Sequence, residues 1–270
     1  MPAADDPHRQ RVAWETFLTE ALLATDGERS DGPAREELVG ILRGGKAAEG
    51  ELAARPYTIA NVLLSADDPA PFGAYRPGFA TESEASLFAL LRSEVDAILI
   101  GAGTLRRGRY ERRLCEPGLR DRRLANGLTR DPLGVFVSRS SHPPLDAPLF
   151  AESECEVAVF TSVHEPPPPC RARVHVSRMG AGDLTPRAVL ARLRQEFGVR
   201  ALLYEGGPAM LGALAGDALL DEAFVTAEGA ADAATIRASS PLADVTEPDP
   251  LWDRRVGPNR LVRFRAQRSD

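Results

Sequence analysis

Two stretches decide how this chain is read: Ala97-Ile98-Leu99-Ile100-Gly101-Ala102-Gly103-Thr104 and Ala201-Leu202-Leu203-Tyr204-Glu205-Gly206-Gly207-Pro208. Each begins as a short apolar run, the pattern of a strand buried on both faces, and ends in small residues and glycine. Glycine lets backbone N–H groups approach an anion closely, and a helix N-terminus beyond the turn adds positive partial charge. Either stretch alone is equally well a tight turn. Two of them, each past the carboxyl end of an apolar strand, point to a dinucleotide pyrophosphate, because open α/β sheets bind ligands there. The first is not a Rossmann fingerprint, since G-x-G-x-x-G requires glycine where Arg106 stands, and neither carries the G-K-[ST] of a Walker loop.

Working outward, the apolar, β-prone run Tyr57–Leu64 (YTIANVLL) is a further buried strand. Strands are also expected at Leu133–Ser138, Val157–Thr161, Val174–Val176, Arg200–Tyr204 and Glu222–Thr226. Helices are expected over Pro186–Phe197, stopped by Gly198, and from the 205–208 turn through Leu214. Thr81-Glu82-Ser83-Glu84 fits a capping box that opens a helix through Arg92. Strands alternating with helices imply a mainly parallel central sheet with flanking helices. The final run, Arg260–Ala266, alternates apolar and polar residues and is expected to form an antiparallel C-terminal edge.

Before this pattern begins, Trp14, Phe17, Leu18, Ala21 and Leu22 recur at helical spacing, and Leu38, Val39, Ile41 and Leu42 mark a second short helix. Residues 1–54 are therefore expected to be a helical extension and linker, and residues 55–270 the domain that carries the chemistry. The segment Ala227–Ala234 (AEGAADAA) is poor strand material.

Composition narrows the function. A net charge of −6, with arginine mostly scattered among acids, argues against a nucleic-acid partner. The exception is the basic run Arg106, Arg107, Arg109, Arg112 and Arg113, which is either a solvated face or an anion clamp. No apolar run reaches the ~18 residues that span a bilayer, and the polar start MPAADDPHRQ lacks a signal-peptide core. Cys115, Cys155 and Cys170 are widely spaced, suiting a reducing, cytoplasmic compartment. The four histidines stand apart from any carboxylate motif, so no metal is expected.

The motifs then fall into an ordered set: Asn61, Ser65 and Asp67 as N-x-x-x-S-x-D, Leu91 to Arg106 as LR-x-E-x-DAILIGAGT-x-R, and Leu203 to Leu214 as LYEGGPAMLGAL. LLDEAFVT (219–226) and NRLVRFR (259–265) follow in order. Over residues 55–266 the chain resembles the C-terminal reductase domain of bacterial RibD proteins of riboflavin biosynthesis. That resemblance implies a dihydrofolate-reductase-like fold, NADPH as cofactor, a pyrimidine, pterin or related heterocycle as the small-molecule substrate, and a homodimer. It implies that Gly101, Ala102, Gly103 and Thr104 line the cofactor and that Gly206, Gly207 and Pro208 cradle the pyrophosphate. Ser138 and Arg139 meet the adenosine end, with Arg106 or Arg139 pairing with the 2′-phosphate. Asp67 becomes the candidate acid or substrate anchor, Glu205 a second catalytic carboxylate, and Asn61, Ser65 and Thr81 substrate contacts. For Asp67 a plain turn role, for Glu205 a cap of the following turn, and for Thr81 its helix-cap role remain open.

The chain departs from the family where Asp68-Pro69 replaces the glycine after the motif aspartate, and in the 227–234 segment. The H-x-E and P-C-x-x-C deaminase signature is absent from these residues, so a stand-alone, diverged reductase is expected. The competing expectations are a non-redox binding or subunit protein that keeps the cofactor loops, and a relative that has lost the cofactor.

Overall fold

The computed structural model describes residues 54–64, 89, 91–101, 115, 117–139, 147–151, 155–164, 169–229, 231–240, 242–256 and 259–267. The proposed extension up to residue 53, the capping box at Thr81 and the basic run 106–113 lie outside these residues.

The elements, in chain order, are β1 (Tyr57–Leu64), β2 (Ala97–Ile100), α1 (Pro117–Ala125), β3 (Leu133–Ser138), α2 (Pro148–Ala151), β4 (Glu156–Thr161) and β5 (Arg173–Arg178). There follow α3 (Pro186–Phe197), β6 (Ala201–Tyr204), α4 (Pro208–Gly216), β7 (Glu222–Glu228), α5 (Ala233–Ser239), β8 (Trp252–Val256) and β9 (Asn259–Arg265). The nine strands of the described residues form one sheet in the order β5-β4-β3-β2-β6-β1-β7-β9-β8. The ladders from β5 through β7 are parallel, and β7–β9 and β9–β8 are antiparallel. The expected antiparallel C-terminal edge is therefore present, as two strands. The outermost is β8, whose sequence WDRRV has too many charges to stand out as a strand.

Burial explains the apolar runs. β1, β2 and β6 are buried along their whole length because helices cover both faces of the sheet's centre. Ile59, Ile98, Leu203 and Phe224 belong to one core, together with Leu91, Val95 and Phe150. Val62, Leu99, Leu202 and Val225 belong to the other, against Val189, Leu190 and Leu193 of α3, Leu211 and Leu214 of α4, and Ile236 of α5. Local chemistry places α3: the Thr185 side chain accepts from the Ala188 N–H at the N-cap, Pro186 fits the first turn, and Gly198 at φ 66° takes the left-handed stop. Of the weak segment 227–234, Ala227 and Glu228 still pair within β7, two residues further than the sequence suggested. The strand ends at Glu228, and Asp232 then caps α5 by accepting from the Thr235 N–H at 2.8 Å.

Charged groups buried beneath the sheet anchor its amino-terminal side. Arg55 holds Asp221 through Nη1 at 2.7 Å and Nη2 at 3.0 Å, and the Thr58 N–H donates to the same carboxylate at 2.7 Å. One Asp96 carboxylate oxygen accepts from the N–H groups of Arg200 and Ala201 at 2.9 and 2.8 Å, tying β2 to β6 where both strands begin.

Candidate active site

Strand order brings the scattered motifs together. β3, β2, β6, β1 and β7 are consecutive, parallel neighbours, so their carboxyl ends open on one side of the sheet. Along that rim lie Ser138 at the end of β3 and Arg139 after it, Gly101 after β2, Glu205 to Pro208 after β6, Asn61 on β1 and Thr226 on β7. The chain leaves β1 for β2, skipping the position that β6 later fills, which makes this the switch point where such sheets bind ligands. β6 ends opposite Ala60, whereas β1 runs on from Asn61 to Leu64 beside Phe224 to Ala227. The sheet thus forms a step, with Asn61 at the corner above the β6 turn.

The second glycine loop is held from below. The Glu205 N–H donates to the Leu99 carbonyl at 3.0 Å, bringing the β6 turn alongside the end of β2, where Gly101 is half-buried. The Tyr204 side chain is 1% exposed, and its hydroxyl donates to the Gly207 carbonyl. Burial pushes that hydroxyl's pKa well above the usual tyrosine range, so it stays a donor throughout the physiological range. Gly206 lies against the same ring: a Cβ there would stand 2.5 Å from the Tyr204 hydroxyl. Gly207 is the N-cap of α4 and offers no side-chain acceptor, and Pro208 opens the helix. The first-turn N–H groups of α4 therefore lack a side-chain cap, the arrangement that accepts a phosphate.

Glu205 is 4% exposed and receives a fork from Arg92, Nε to Oε1 at 2.8 Å and Nη2 to Oε2 at 2.7 Å. Two parallel N–H donors on one carboxylate fix both groups, so Glu205 ties the helical residues 91–94 to the β6 turn. Arg139 is exposed, with Nη2 3.4 Å from the Leu184 carbonyl and its own carbonyl accepting from the Ser162 hydroxyl at 2.7 Å. Ser138 is buried beneath it.

Asn61 differs from all of these. It is 3% exposed on a strand otherwise apolar beyond Thr58, and neither its amide nitrogen nor its amide oxygen has a partner among the described residues. The Thr226 hydroxyl, in a residue fully buried on β7, is likewise unpartnered among the described residues. Buried polar atoms are nearly always hydrogen-bonded, so two such residues at one rim stand out; Arg123 Nη2 and Asn126 Nδ2 are the other unpartnered buried atoms among the described residues, and they lie away from this rim. Arg92, Tyr204 and Thr226 escaped the sequence reading as site residues. The available signal was a polar residue interrupting an apolar strand, which Thr226 shares with Asn61. Ser65, Asp67, Thr81, Ala102, Gly103, Thr104 and Arg106 lie outside the described residues. Among the described residues no cluster of metal-ligating side chains occurs, and no helix is long and apolar enough to cross a membrane.

The RibD C-terminal domain family matches residues 56–228, from the start of β1 to the end of β7. The chain belongs to that family. The matched stretch contains all seven parallel strands, and so every rim residue described above; the β8–β9 hairpin lies beyond it. A relative in Archaeoglobus fulgidus, a 2,5-diamino-6-ribosylamino-4(3H)-pyrimidinone 5′-phosphate reductase, is 28% identical over 174 residues, 62% of this chain and 78% of that protein. Among solved structures, a pyrimidine reductase-like protein of Corynebacterium diphtheriae aligns with a TM-score of 0.59 at 16% identity, over 86% of this chain and 99% of that one. The riboflavin biosynthesis reductase Rib7 of Saccharomyces cerevisiae aligns with a TM-score of 0.55 at 15% identity, over 86% and 98% of the two chains. At such identities these likenesses speak for the fold, which this RibD-family domain shares with reductases.

Proposed function

We propose that the protein is an NADPH-dependent reductase of a pyrimidine or closely related nitrogen heterocycle. The observation that carries this reading is the rim itself. A side-chain-free helix N-terminus behind Gly206 and Gly207 stands beside buried, unpartnered amide and hydroxyl groups on β1 and β7. The first suits a dinucleotide phosphate, and the second suits a polar ring. The named pyrimidinone reductase among the relatives supplies the reaction class.

In this reading the cofactor's nicotinamide supplies the hydride. The protein's task is to orient it and to protonate the acceptor. Gly101 to Thr104 and Gly206 to Pro208 hold the cofactor, with Ser138 and Arg139 at its adenosine end and Arg106 or Arg139 on the 2′-phosphate. Asn61, Ser65 and Thr81 contact the acceptor, and Asp67 is the proton donor or anchor. Glu205, locked by Arg92, acts as a positioning residue for the nicotinamide side of the turn. The protein is a cytoplasmic homodimer, and residues 1–54 are an appended helical segment.

Calorimetric titration with NADPH and with NADH tests the cofactor assignment. Micromolar or tighter NADPH binding, clearly favoured over NADH, is expected. Absence of binding by either nucleotide removes the reading. The Glu205 role has its own test in steady-state kinetics with an accepted substrate. Arg92→Met and Glu205→Gln are each expected to lower kcat/KM about 10-fold to 100-fold, the double variant falling little further, because both break one fork. A Glu205→Gln loss far exceeding that of Arg92→Met, with the alkaline limb of the pH–rate profile abolished, makes Glu205 the proton donor instead.

A further inference from the structure

The short strand β6 is held at both ends by one stretch of chain, residues 92–96. At its start, one Asp96 carboxylate oxygen accepts from the Arg200 and Ala201 N–H groups at 2.9 and 2.8 Å, and the Asp96 N–H donates to the Ala201 carbonyl at 3.0 Å. Just past its end, Arg92 forks Glu205 at 2.8 and 2.7 Å. Four strand residues separate Ala201 from Glu205, a span of about 13 Å. The stretch covers that span because helical side chains tilt towards the helix N-terminus, so Arg92 reaches away from Asp96. Residues 92–96 are thus a clamp on the strand that leads into the Gly206–Gly207 turn.

The clamp is itself pinned, by Arg123 near the C-terminal end of α1. Arg123 is fully buried. Its Nη1 donates to the Arg92 carbonyl at 2.7 Å and to the Val95 carbonyl at 2.8 Å, and its Nε donates to the Thr129 carbonyl at 2.8 Å. Carbonyls at the end of a helix lack intrahelical partners, and a cation is favourable there. Bonds in three directions from one planar group fix its orientation, and with it the backbone at Arg92 and Val95. Nη2 has no partner among the described residues, so main-chain carbonyls, and no carboxylate, orient this guanidinium.

From this arrangement we propose that Arg123 is a positioning residue for the cofactor turn, acting from α1 through the 92–96 clamp and the Arg92–Glu205 fork. α1 follows the first glycine stretch in the chain, so the clamp ties the helix after that stretch to the second glycine turn. The inference rests on the reductase reading for the ligand at the turn, and not for the clamp itself. Among the described residues Arg123 makes no bond to Glu205, so the influence of one on the other passes through Arg92. Losses at distant, independent sites add, whereas losses within one network do not.

The experiment uses the full chain with Arg123→Met, Arg123→Lys and Glu205→Gln, singly and with each Arg123 change combined with Glu205→Gln. Arg120→Met is the control, since Arg120 lies on the same helix but forks Asp131 at 2.8 to 3.1 Å, outside the clamp. In calorimetry, Arg123→Met and Glu205→Gln should each weaken NADPH binding about 10-fold, and the double variant by well under the roughly 100-fold that independent losses give. Arg123→Lys keeps the charge but not the planar fork, so its loss should be about 3-fold. If Arg123→Met does not fold, the same cycle is read with Arg123→Lys. Arg120→Met should bind NADPH as wild type does. Amide hydrogen exchange of the unliganded protein reads the clamp without any cofactor. Arg123→Met should speed exchange of the Glu205, Arg200 and Ala201 N–H groups about 10-fold, while the Thr58 N–H, held by Asp221, changes little.

Additive losses in the cycle overturn the proposal. So does a lowered Tm in the Arg123 variants with NADPH affinity and Glu205 exchange as in wild type, which leaves Arg123 a purely structural residue. A wild type that binds neither nucleotide removes the reductase reading, and the exchange rates alone then uphold or overturn the clamp. A wild type that binds NADPH, with Arg123 variants that bind it equally well, keeps that reading and sinks the inference.

Discussion

Replacing Arg263 with methionine lowers stability by about 3–5 kcal/mol, the cost of leaving a buried carboxylate without its ion-pair partner. Arg263 is 1% exposed on β9 and grips Glu222 of β7 from Nε at 2.7 Å and from Nη2 at 2.7 Å. The Tyr57 hydroxyl donates to the same carboxylate at 2.7 Å, and the guanidinium lies 5.5 Å from the centre of the Phe224 ring. The methionine fills the volume but leaves Glu222 charged, with a single phenol for company. Urea unfolding should therefore show a lowered midpoint, and the triple replacement Arg263→Met, Glu222→Leu, Tyr57→Phe should recover most of the loss, since an apolar trio of similar volume costs nothing electrostatically. A single-variant loss below about 1 kcal/mol, the range of exposed ion pairs, means the trio is solvated and contributes as a surface pair does. Burial, followed by the Glu222 charge, pushes the Tyr57 hydroxyl well above the ordinary tyrosine range. The sign follows: its contribution is complete below about pH 10, the unfolded value, and fades as pH rises towards the higher folded one.

Gly206→Ala is expected to weaken NADPH binding about 100-fold while the protein remains folded, an effect of about 2.7 kcal/mol. A Cβ at this position would approach the Tyr204 hydroxyl to 2.5 Å and two ring carbons to 2.6 and 2.7 Å. Tyr204 is 1% exposed and hydrogen-bonded to the Gly207 carbonyl, so its ring has nowhere to swing. The turn itself must shift, carrying Gly207, Pro208 and the first turn of α4 with it. Charge-assisted hydrogen bonds to phosphate need donors within about 2.7–2.9 Å, so a displacement near 1 Å removes them. Calorimetry with NADPH measures the loss. Gly212→Ala, further along α4 where a Cβ meets nothing within 4 Å, serves as the control and should bind as wild type does. Recovery of part of the affinity in Gly206→Ala with Tyr204→Leu would locate the clash at the ring. Wild-type binding by Gly206→Ala alone would remove this turn from the phosphate site.

Much of the fold was legible because its signals are local. Apolar runs such as Ala97–Ile100 and Ala201–Tyr204 are hydrophobic along their whole length, as strands covered on both faces must be. Pro186 after Thr185, and Gly198 twelve residues on, announced both ends of α3. β8 was not legible: WDRRV has neither an unbroken apolar run nor a clean alternation, and its strand character comes from pairing with β9. Arg263 likewise looked like the exposed half of an alternating strand. Only the presence of Glu222 and Tyr57 on neighbouring strands makes it an interior residue.

The candidate site divides the same way. Glycine turns after apolar strands are visible in sequence because they depend on residues next to one another in the chain, and Gly206 to Pro208 stands where that reading puts it. The partnership of Glu205 with Arg92 spans more than a hundred residues and appears only when residues 91–94 pack beside β6. For this protein the amino-acid sequence by itself determined the alternating α/β pattern, the family and the glycine turn that opens α4, all consequences of short-range periodicity and backbone chemistry. The tertiary structure alone decided which carboxylates are locked in ion pairs, and which polar groups, Asn61 and Thr226, are left buried without partners among the described residues. Those outcomes depend on strand order and register, through which distant residues become neighbours and lose their water.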